Sequence, residues 1–316
     1  MRILLIYTGG TIGSDVHNGY ICVGKDKLQV LVRELLSDIP DVEIDIQNPY
    51  TILSEQLSGQ HISLLTGCID EHMEGCDGII ITHGTDSLIY TACACAYAYS
   101  DTAVPIMLVS SNYVLEDERA NGTANLSCAL ENIKNRVNPG VYIAYKNRDC
   151  EPRLYDALEV LPHQMYDDGL FALERACMSK GEVSLMHKAC LDLSESPRIL
   201  WLRCCPGMDY ETFSALLGDS YDYILLDSYH SGTLNTSSES LKGLCSEAMN
   251  KNVPVYLLGA ERGISYESTA SYEDLGIIVL PRLTCIAAYM KLWLLGEAAA
   301  MGELGREEVT AYMLEE

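Results

Sequence analysis

Two short stretches of this chain place hydroxyl groups in glycine-rich turns that follow apolar, strand-like runs. The first is residues 8–13 (TGGTIG), and the second is residues 83–87 (HGTDS). A turn at the carboxyl end of a parallel strand leaves backbone N–H groups available to a ligand, and a threonine hydroxyl there can serve as a nucleophile. If the two strands are neighbours in one sheet, Thr11, Thr85 and Asp86 should converge on one crevice.

The elements that must position these turns alternate between strands and helices. The apolar spacing predicts strands at 3–7, 42–46, 78–82, 104–109 and 141–145, and helices at 27–36, 60–73, 88–99 and 122–136. Residues 14–25 are polar and contain glycines, and we expect a loop that covers a site. Alternation of this kind predicts a parallel sheet with right-handed crossovers.

The pattern weakens from about 148 to 196 and then resumes. Further strands are predicted at 198–202, 223–226, 253–258 and 276–280, and helices at 210–217, 238–249 and 284–295. We therefore predict an α/β fold with a boundary near 180–196. A Rossmann-like parallel sheet forms the N-terminal domain, residues 1–190, and a smaller α/β domain covers residues 197–316.

Composition excludes several classes of function. A net charge of −24 argues against nucleic acid and against anionic membranes as partners. The 13 cysteines are scattered without a repeated CxxC pair, so a zinc site is not expected, and such usage fits a reducing compartment. The chain opens on a strand-like run without the pattern of a secretory leader, and no apolar run is long enough to span a bilayer. We expect a cytoplasmic protein.

Other chemistries lack their sequence signatures. The first turn matches only part of the dinucleotide fingerprint, and no lysine follows it as nucleoside triphosphate binding would require. The chain has no Gly-x-Ser-x-Gly elbow of the kind that α/β serine hydrolases use. His83 is a candidate general base, but beside a glycine at a strand end we expect its ring to hydrogen-bond the backbone.

Taken together, residues 8–13 and 83–87 resemble the paired signatures of the bacterial-type L-asparaginase family, TGGTIA/G and HGTDT, in a divergent, type I-like form. The runs at 77–81 (DGIII) and 228–233 (SYHSGT) extend the resemblance, whereas residues 140–196 fit it poorly. The second motif carries Ser87 where threonine is usual. The resemblance implies hydrolysis of L-asparagine to L-aspartate and ammonia, without a metal or an organic cofactor.

The resemblance also implies catalytic roles. Thr11 matches the nucleophile, whose hydroxyl attacks the side-chain amide carbon and forms an acyl-enzyme that water then hydrolyses. A hydroxyl needs a nearby base, and Tyr20 matches the family's loop tyrosine by position. Thr85 matches the second threonine, which helps to activate the nucleophile or the water, and Asp86 matches the acid that binds the substrate's α-ammonium. Backbone N–H groups of the turns would stabilise the oxyanion.

Substrate binding and assembly are implied in the same way. Ser54 and Glu55 fall where the family binds the α-carboxylate and α-ammonium groups. In the family each site forms between the N-terminal domain of one protomer and the C-terminal domain of a neighbour, and Asn235 is the residue that would reach across. The resemblance therefore implies a homodimer or a homotetramer.

The chain departs from the family at one catalytic position. The family pairs its second threonine with a lysine on the strand after residue 140, in a Thr-Lys pattern that is absent here. Lys146 lies earlier than the family spacing predicts, and Arg153 is effectively always protonated and cannot serve as a base.

Several interpretations stay open at this point. Thr11 and Thr85 could form turns through hydroxyl bonds to the backbone, and Asp86 could cap the following helix. The leading hypothesis is an asparaginase-like amidohydrolase, and the alternative is a catalytically silent relative that binds a small amino acid as a sensor or regulatory subunit. A third is hydrolysis of another amide, such as glutamine or one delivered to a tRNA-charging partner, against which the acidic charge weighs.

Overall fold

A computed structural model of the chain describes residues 1–18, 20–22, 30–32, 34–35, 42–173, 183–193, 197–217, 220–260 and 266–315. They fall into two compact units, one extending to residue 173 together with 183–193, and the other beginning at 197. The predicted α/β fold class is confirmed, since each unit contains a sheet and helices. The predicted domain limits stay a prediction, because both ends of the segment 180–196 lie outside the described residues.

The first unit holds most of the strands. Its strands are β1 (Arg2–Tyr7), β2 (Asp15–His17), β3 (Tyr20–Cys22), β4 (Glu43–Gln47), β5 (Gly78–Thr82), β6 (Pro105–Val109), β7 (Gly140–Tyr145) and β8 (Arg153–Asp156). Its helices are α1 (Gly59–His72), α2 (Leu88–Ala98), α3 (Gly122–Lys134) and α4 (Val183–Leu191). Short 3-10 turns occupy Thr11–Gly13, Ser54–Gln56 and Thr85–Ser87.

The main sheet of this unit has the order β4-β1-β5-β6-β7-β8. All neighbouring pairs are parallel except β7 and β8, which are antiparallel. After β1 the chain places β4 on one side of it and β5 on the other, so the strand order reverses between β1 and β5. At such a switch point a crevice opens beyond the carboxyl ends of the strands, and open α/β sheets bind their ligands there. The two hydroxyl-bearing turns follow the two strands that flank it.

The register of β1 and β5 brings their ends level, with Tyr7 opposite Thr82. Every residue of β5 is buried, as expected for a continuous β-branched run covered on both faces. Because the two strands end at the same height, the turns that begin at Thr8 and His83 start side by side.

The stretch after the first turn differs from the predicted loop. Residues 14–25 contain an antiparallel hairpin, β2 and β3, in which His17 pairs with Tyr20. Each strand has only three residues, too few for an alternating pattern to stand out in the sequence. Of the helix predicted at 27–36, residues 30–32 and 34–35 are described and are helical, and the remainder lies outside the described residues.

Two elements lie where the sequence pattern weakens. β8 is four residues long and carries charged residues at both ends, and α4 is nine residues long. β8, which was not predicted from the sequence, runs antiparallel to β7 at the edge of an otherwise parallel sheet. Short elements give too few apolar repeats for either the helical or the strand period to be recognised.

The second unit has a simpler sheet. Its strands are β9 (Ile199–Arg203), β10 (Tyr223–Asp227), β11 (Val255–Leu258) and β12 (Ile277–Val279), and its helices are α5 (Glu211–Leu216), α6 (Glu239–Asn250), α7 (Cys285–Ala300) and α8 (Arg306–Leu314). The strands are parallel in the order β12-β11-β10-β9. This consecutive order contains no reversal among the described strands, so the sheet has no switch point of its own.

The helix α7 is the longest described helix, at 16 residues, and most of its side chains are buried. Thr284 caps it, since its hydroxyl accepts a hydrogen bond from the Ala287 N–H at 3.1 Å. In the described part of the chain, no helix combines the length and the apolar character that crossing a membrane requires.

Candidate active site

The turn that bears Thr11 packs directly against the second motif. Gly9 and Gly10 have φ values of 117° and 88°, in the left-handed region that favours glycine. A Cβ on Gly10 would lie 2.4 Å from the backbone oxygen of His83, and one on Gly9 would lie 2.3 Å from that of Ile52. Both glycines are therefore required by close backbone contact, and Thr11 follows them, partly buried, at the start of a 3-10 turn.

A second contact joins the Ser54 segment to Asp86. The Ser54 hydroxyl donates a hydrogen bond of 3.2 Å to Asp86 Oδ2, and the Ser87 hydroxyl donates one of 2.7 Å to the Ser54 carbonyl. Gly84 allows this approach, since a Cβ there would lie 2.5 Å from the Ser54 Cβ. Asp86 is exposed and Ser87 occupies the N-cap of α2, so the capping role considered for Asp86 is not the one it has.

Thr85 is tied to the loop that follows β6. Its hydroxyl donates a hydrogen bond of 3.2 Å to the Ser111 carbonyl, as a turn-forming threonine would. The Ser111 hydroxyl in turn donates to the Tyr113 carbonyl at 2.6 Å and accepts from the Gly122 N–H at 3.1 Å. The oxygen of Thr85 keeps its lone pairs for another partner, because it acts only as the donor in its bond to Ser111.

His83 has a structural role, as expected from its position beside a glycine. Its Nδ1 donates to the Gly84 carbonyl at 2.9 Å, so Nε2 is left to accept from the Thr91 hydroxyl at 2.9 Å. Burial lowers the pKa of His83 to about 4, and the ring is neutral at physiological pH. Both ring nitrogens are satisfied within the fold.

Lys146 and Arg153, the two cations considered for the family's missing lysine, both have exposed side chains. Lys146 follows β7 with its side chain exposed, while its backbone N–H donates to Asn125 Oδ1 at 2.7 Å. The Arg153 guanidinium lies 4.4 Å from the centre of the Tyr155 ring. After β8 the chain continues into Ala157, which is fully buried, and the described residues 147–173 contain no lysine.

One residue with functional potential, His163, was not predicted from the sequence. His163 follows the buried Val160, and its ring lies 6.0 Å from the ring of Tyr145 at the end of β7. Burial lowers the pKa of His163, opposed by a hydrogen bond with the Gly169 backbone and by the carboxylates of Asp86 and its other acidic neighbours. A single histidine in a polar loop has no spacing that sequence patterns can detect.

The remaining predicted site residues lie on separate elements. Tyr20 belongs to β3 and is 76% exposed. Glu55 is exposed in the 3-10 turn beside Ser54. Asn235 lies in the second unit, between β10 and α6, is exposed, and accepts a backbone hydrogen bond from Ser238 at 3.1 Å. Their roles in binding and catalysis stay predictions.

The strand order defines an α/β protein in which two threonine-bearing turns meet at the switch point of the larger sheet. Residues 2–164, just over half of the chain, match the family model described as Asparaginase, N-terminal. The chain belongs to the asparaginase family.

Individual relatives agree with this assignment. The L-asparaginase of Thermococcus kodakarensis is 24% identical over 324 residues, which cover 96% of this chain and 95% of that protein. A component of the glutamyl-tRNA(Gln) amidotransferase of Methanosarcina barkeri is 32% identical over 133 residues, covering 40% of this chain and 30% of that protein. The solved structure of the thermostable L-asparaginase from Thermococcus kodakarensis shares the fold, with a TM-score of 0.75 at 21% identity over 99% of this chain and 97% of that one.

We predict that Gly10→Ala destabilises the fold far more than Gly75→Ala does. Both glycines have positive φ, so each substitution incurs about 1–2 kcal/mol of left-handed strain. At Gly10 the new methyl group also meets the backbone of His83, whereas at Gly75 the nearest atom is a side-chain nitrogen of Arg2 at 3.4 Å. Thermal melting of the two variants measures the difference, and equal melting temperatures would show that the contact at Gly10 contributes nothing.

We predict that the unfolding free energy falls by about 2 kcal/mol between pH 7 and pH 5 because of His83. The pKa of His83 is about 4 in the folded protein, below the ordinary value of 6.5. As the pH falls through 6.5, the unfolded chain therefore binds a proton that the folded protein does not. Urea unfolding followed by circular dichroism measures the change. His83→Gln removes this titration. If the unfolding free energy of the variant fell with pH by the same amount, His83 would not be the cause of the change.

Proposed function

We propose that the chain is an L-asparaginase-like amidohydrolase that converts L-asparagine to L-aspartate and ammonia. The observation that carries the proposal is the contact between the Thr11 turn and the Thr85–Asp86 turn, which meet backbone to backbone at the switch point. Membership of the asparaginase family supports amide hydrolysis as the class of reaction. The similarity to an L-asparaginase over nearly the whole length of the chain supports asparagine as the amide.

Thr11 is the proposed nucleophile. Its hydroxyl oxygen attacks the carbon of the side-chain amide, ammonia leaves, and water hydrolyses the resulting ester. Tyr20 is the proposed base for the first step, and its place on an exposed hairpin next to the Thr11 turn supports that role. The backbone N–H groups of the glycine-rich turns are the proposed donors to the oxyanion, where such groups have their largest effect on the rate.

Asp86 and the Ser54 segment are the proposed binding groups for the amino-acid end of the substrate. Asp86 is exposed and already accepts a hydrogen bond from Ser54, so its carboxylate is available to a substrate ammonium. Ser54 and Glu55 share one 3-10 turn and are the other proposed binding groups for this end of the substrate. Asn235 is proposed to reach the site of a neighbouring copy, in an assembly of two or four chains.

The choice of amide is the finer part of the proposal. The amidotransferase relative carries a tRNA in its name, but the match covers only 30% of that protein, and a charge of −24 disfavours contact with RNA. We therefore propose a free amino acid as substrate. A cytoplasmic location is supported by the cysteines, since 11 of the 13 are present as thiols and not as disulfides.

We predict that Thr11→Ala lowers ammonia release from L-asparagine by at least about 1,000-fold, because removing a nucleophile costs several orders of magnitude. The fold should be unchanged by circular dichroism. Thr11→Ser keeps a hydroxyl group and is the matched control, with measurable activity expected. L-glutamine assayed in parallel reports the preferred amide.

The outcomes of this assay separate the hypotheses. Full activity in Thr11→Ala would move the nucleophile elsewhere, with Thr85 the next candidate. No ammonia release by the unmodified chain would contradict the proposed reaction. If L-aspartate then still raised the melting temperature, a silent amino-acid-binding protein would be the better description.

We predict that Asp86→Ala chiefly raises KM for L-asparagine, by about 10- to 150-fold, as expected for the loss of a charge-assisted hydrogen bond of about 1.5–3 kcal/mol. Asp101→Ala removes an exposed acid from the turn after α2 and is the matched control. Steady-state kinetics of both variants provide the measurement. An unchanged KM in Asp86→Ala would show that this carboxylate does not bind the substrate.

A further inference from the structure

His163 lies in a loop that the fold holds in place. The loop starts and ends at a bridge between Val160 and Ala172, and Leu161 donates a backbone hydrogen bond of 2.8 Å to Phe171. Inside the loop, the Gly169 N–H donates to Asp167 at 2.8 Å. The loop that carries His163 is therefore held at both ends by backbone pairing.

A network of contacts connects this loop to the Thr85 turn. The Tyr145 hydroxyl lies 2.7 Å from Asn112 Oδ1 and 2.7 Å from the Asp168 carbonyl. Asn112 follows Ser111, whose carbonyl accepts the hydrogen bond of Thr85. The ring of His163 packs on Tyr145, so the histidine belongs to the same cluster as the second threonine.

The Nε2 atom of His163 is buried and has no hydrogen-bond partner among the described residues. A buried polar atom of this kind is satisfied by an ordered water or by a ligand. His83 gives the contrast, since the fold satisfies both of its ring nitrogens. The acids whose charges act on the His163 ring are Asp86, Asp168 and Asp167, and Tyr145 is the other titratable group that faces it.

We propose that His163 is the proton acceptor of the crevice, taking the place of the lysine that the chain lacks. This inference rests on the proposed function. Nε2 binds the hydrolytic water and accepts its proton as the water oxygen bonds to the acyl carbon. The bond between that carbon and the Thr11 oxygen then breaks, and the imidazolium returns the proton to Thr11. The step consumes one water, releases the acid, and leaves the enzyme as it began.

Burial suits His163 to this task. Desolvation lowers its pKa below the ordinary value of 6.5, so the ring is neutral and able to accept a proton at physiological pH. The carboxylate of Asp86 works in the opposite direction and would stabilise the imidazolium while it holds the proton.

The test compares the unmodified chain with His163→Gln and with His72→Gln, in which a half-buried histidine at the end of α1 is replaced. Ammonia release from L-asparagine is followed from pH 4.5 to 8. We expect kcat to fall by at least about 100-fold in His163→Gln, the range of general base catalysis, and to be unchanged in His72→Gln. The unmodified chain should lose activity on the acid side with a midpoint below 6.5, and His163→Gln should lack that limb. Imidazole added to His163→Ala should restore part of the rate.

The outcomes distinguish this inference from the proposed function. Ammonia release by the unmodified chain and by His163→Gln at the same rate and pH profile would overturn the role of His163 alone. If the unmodified chain is active but its rate does not fall on the acid side of the pH profile, the role of His163 is also overturned. This outcome needs neither variant to fold. No ammonia release by the unmodified chain would overturn both.

Discussion

The candidate site depends on one close contact, the approach of the Gly10 backbone to the backbone of His83 and Gly84. No side chain fits between the two turns, because even a methyl group would lie 2.4 Å from the His83 oxygen. The level ends of β1 and β5 set the height at which the turns meet. The absence of a side chain at Gly10 thus lets two hydroxyl-bearing segments that are distant in sequence lie in direct contact.

The strands and helices that carry this contact were predictable, because they are long and regular in pattern. The apolar runs of β1 and β5 and the periodic helices α1, α2 and α3 lie within a few residues of their predicted limits. The hairpin β2–β3 and the edge strand β8 were not predictable, since three- and four-residue strands give no period. Their formation depends on tertiary pairing rather than on local pattern.

The site was predictable only where residues cluster in sequence. The two motifs identify Thr11, Thr85 and Asp86 as candidates, whereas the Ser111–Asn112 loop and His163 are brought near them only by folding. His83 and His163 show the limit clearly. His83 is buried and His163 is partly buried, yet His83 is fully bonded whereas the buried Nε2 of His163 has no partner among the described residues. That difference is a property of the packed structure, and residue type alone does not reveal it.

The two outer strands of the larger sheet, β4 and β8, have a consequence for how copies of the chain meet. β4 carries Glu43 and Asp45, and β8 begins with an exposed arginine and ends with an aspartate. Charged residues on a free strand edge oppose pairing with another strand, because they would be desolvated or brought against like charge. Extension of this sheet from one molecule into the next is therefore disfavoured at both edges. Contacts between copies at this sheet are therefore expected to use its helix and loop surfaces, and the same charges protect its two edges from edge-to-edge aggregation.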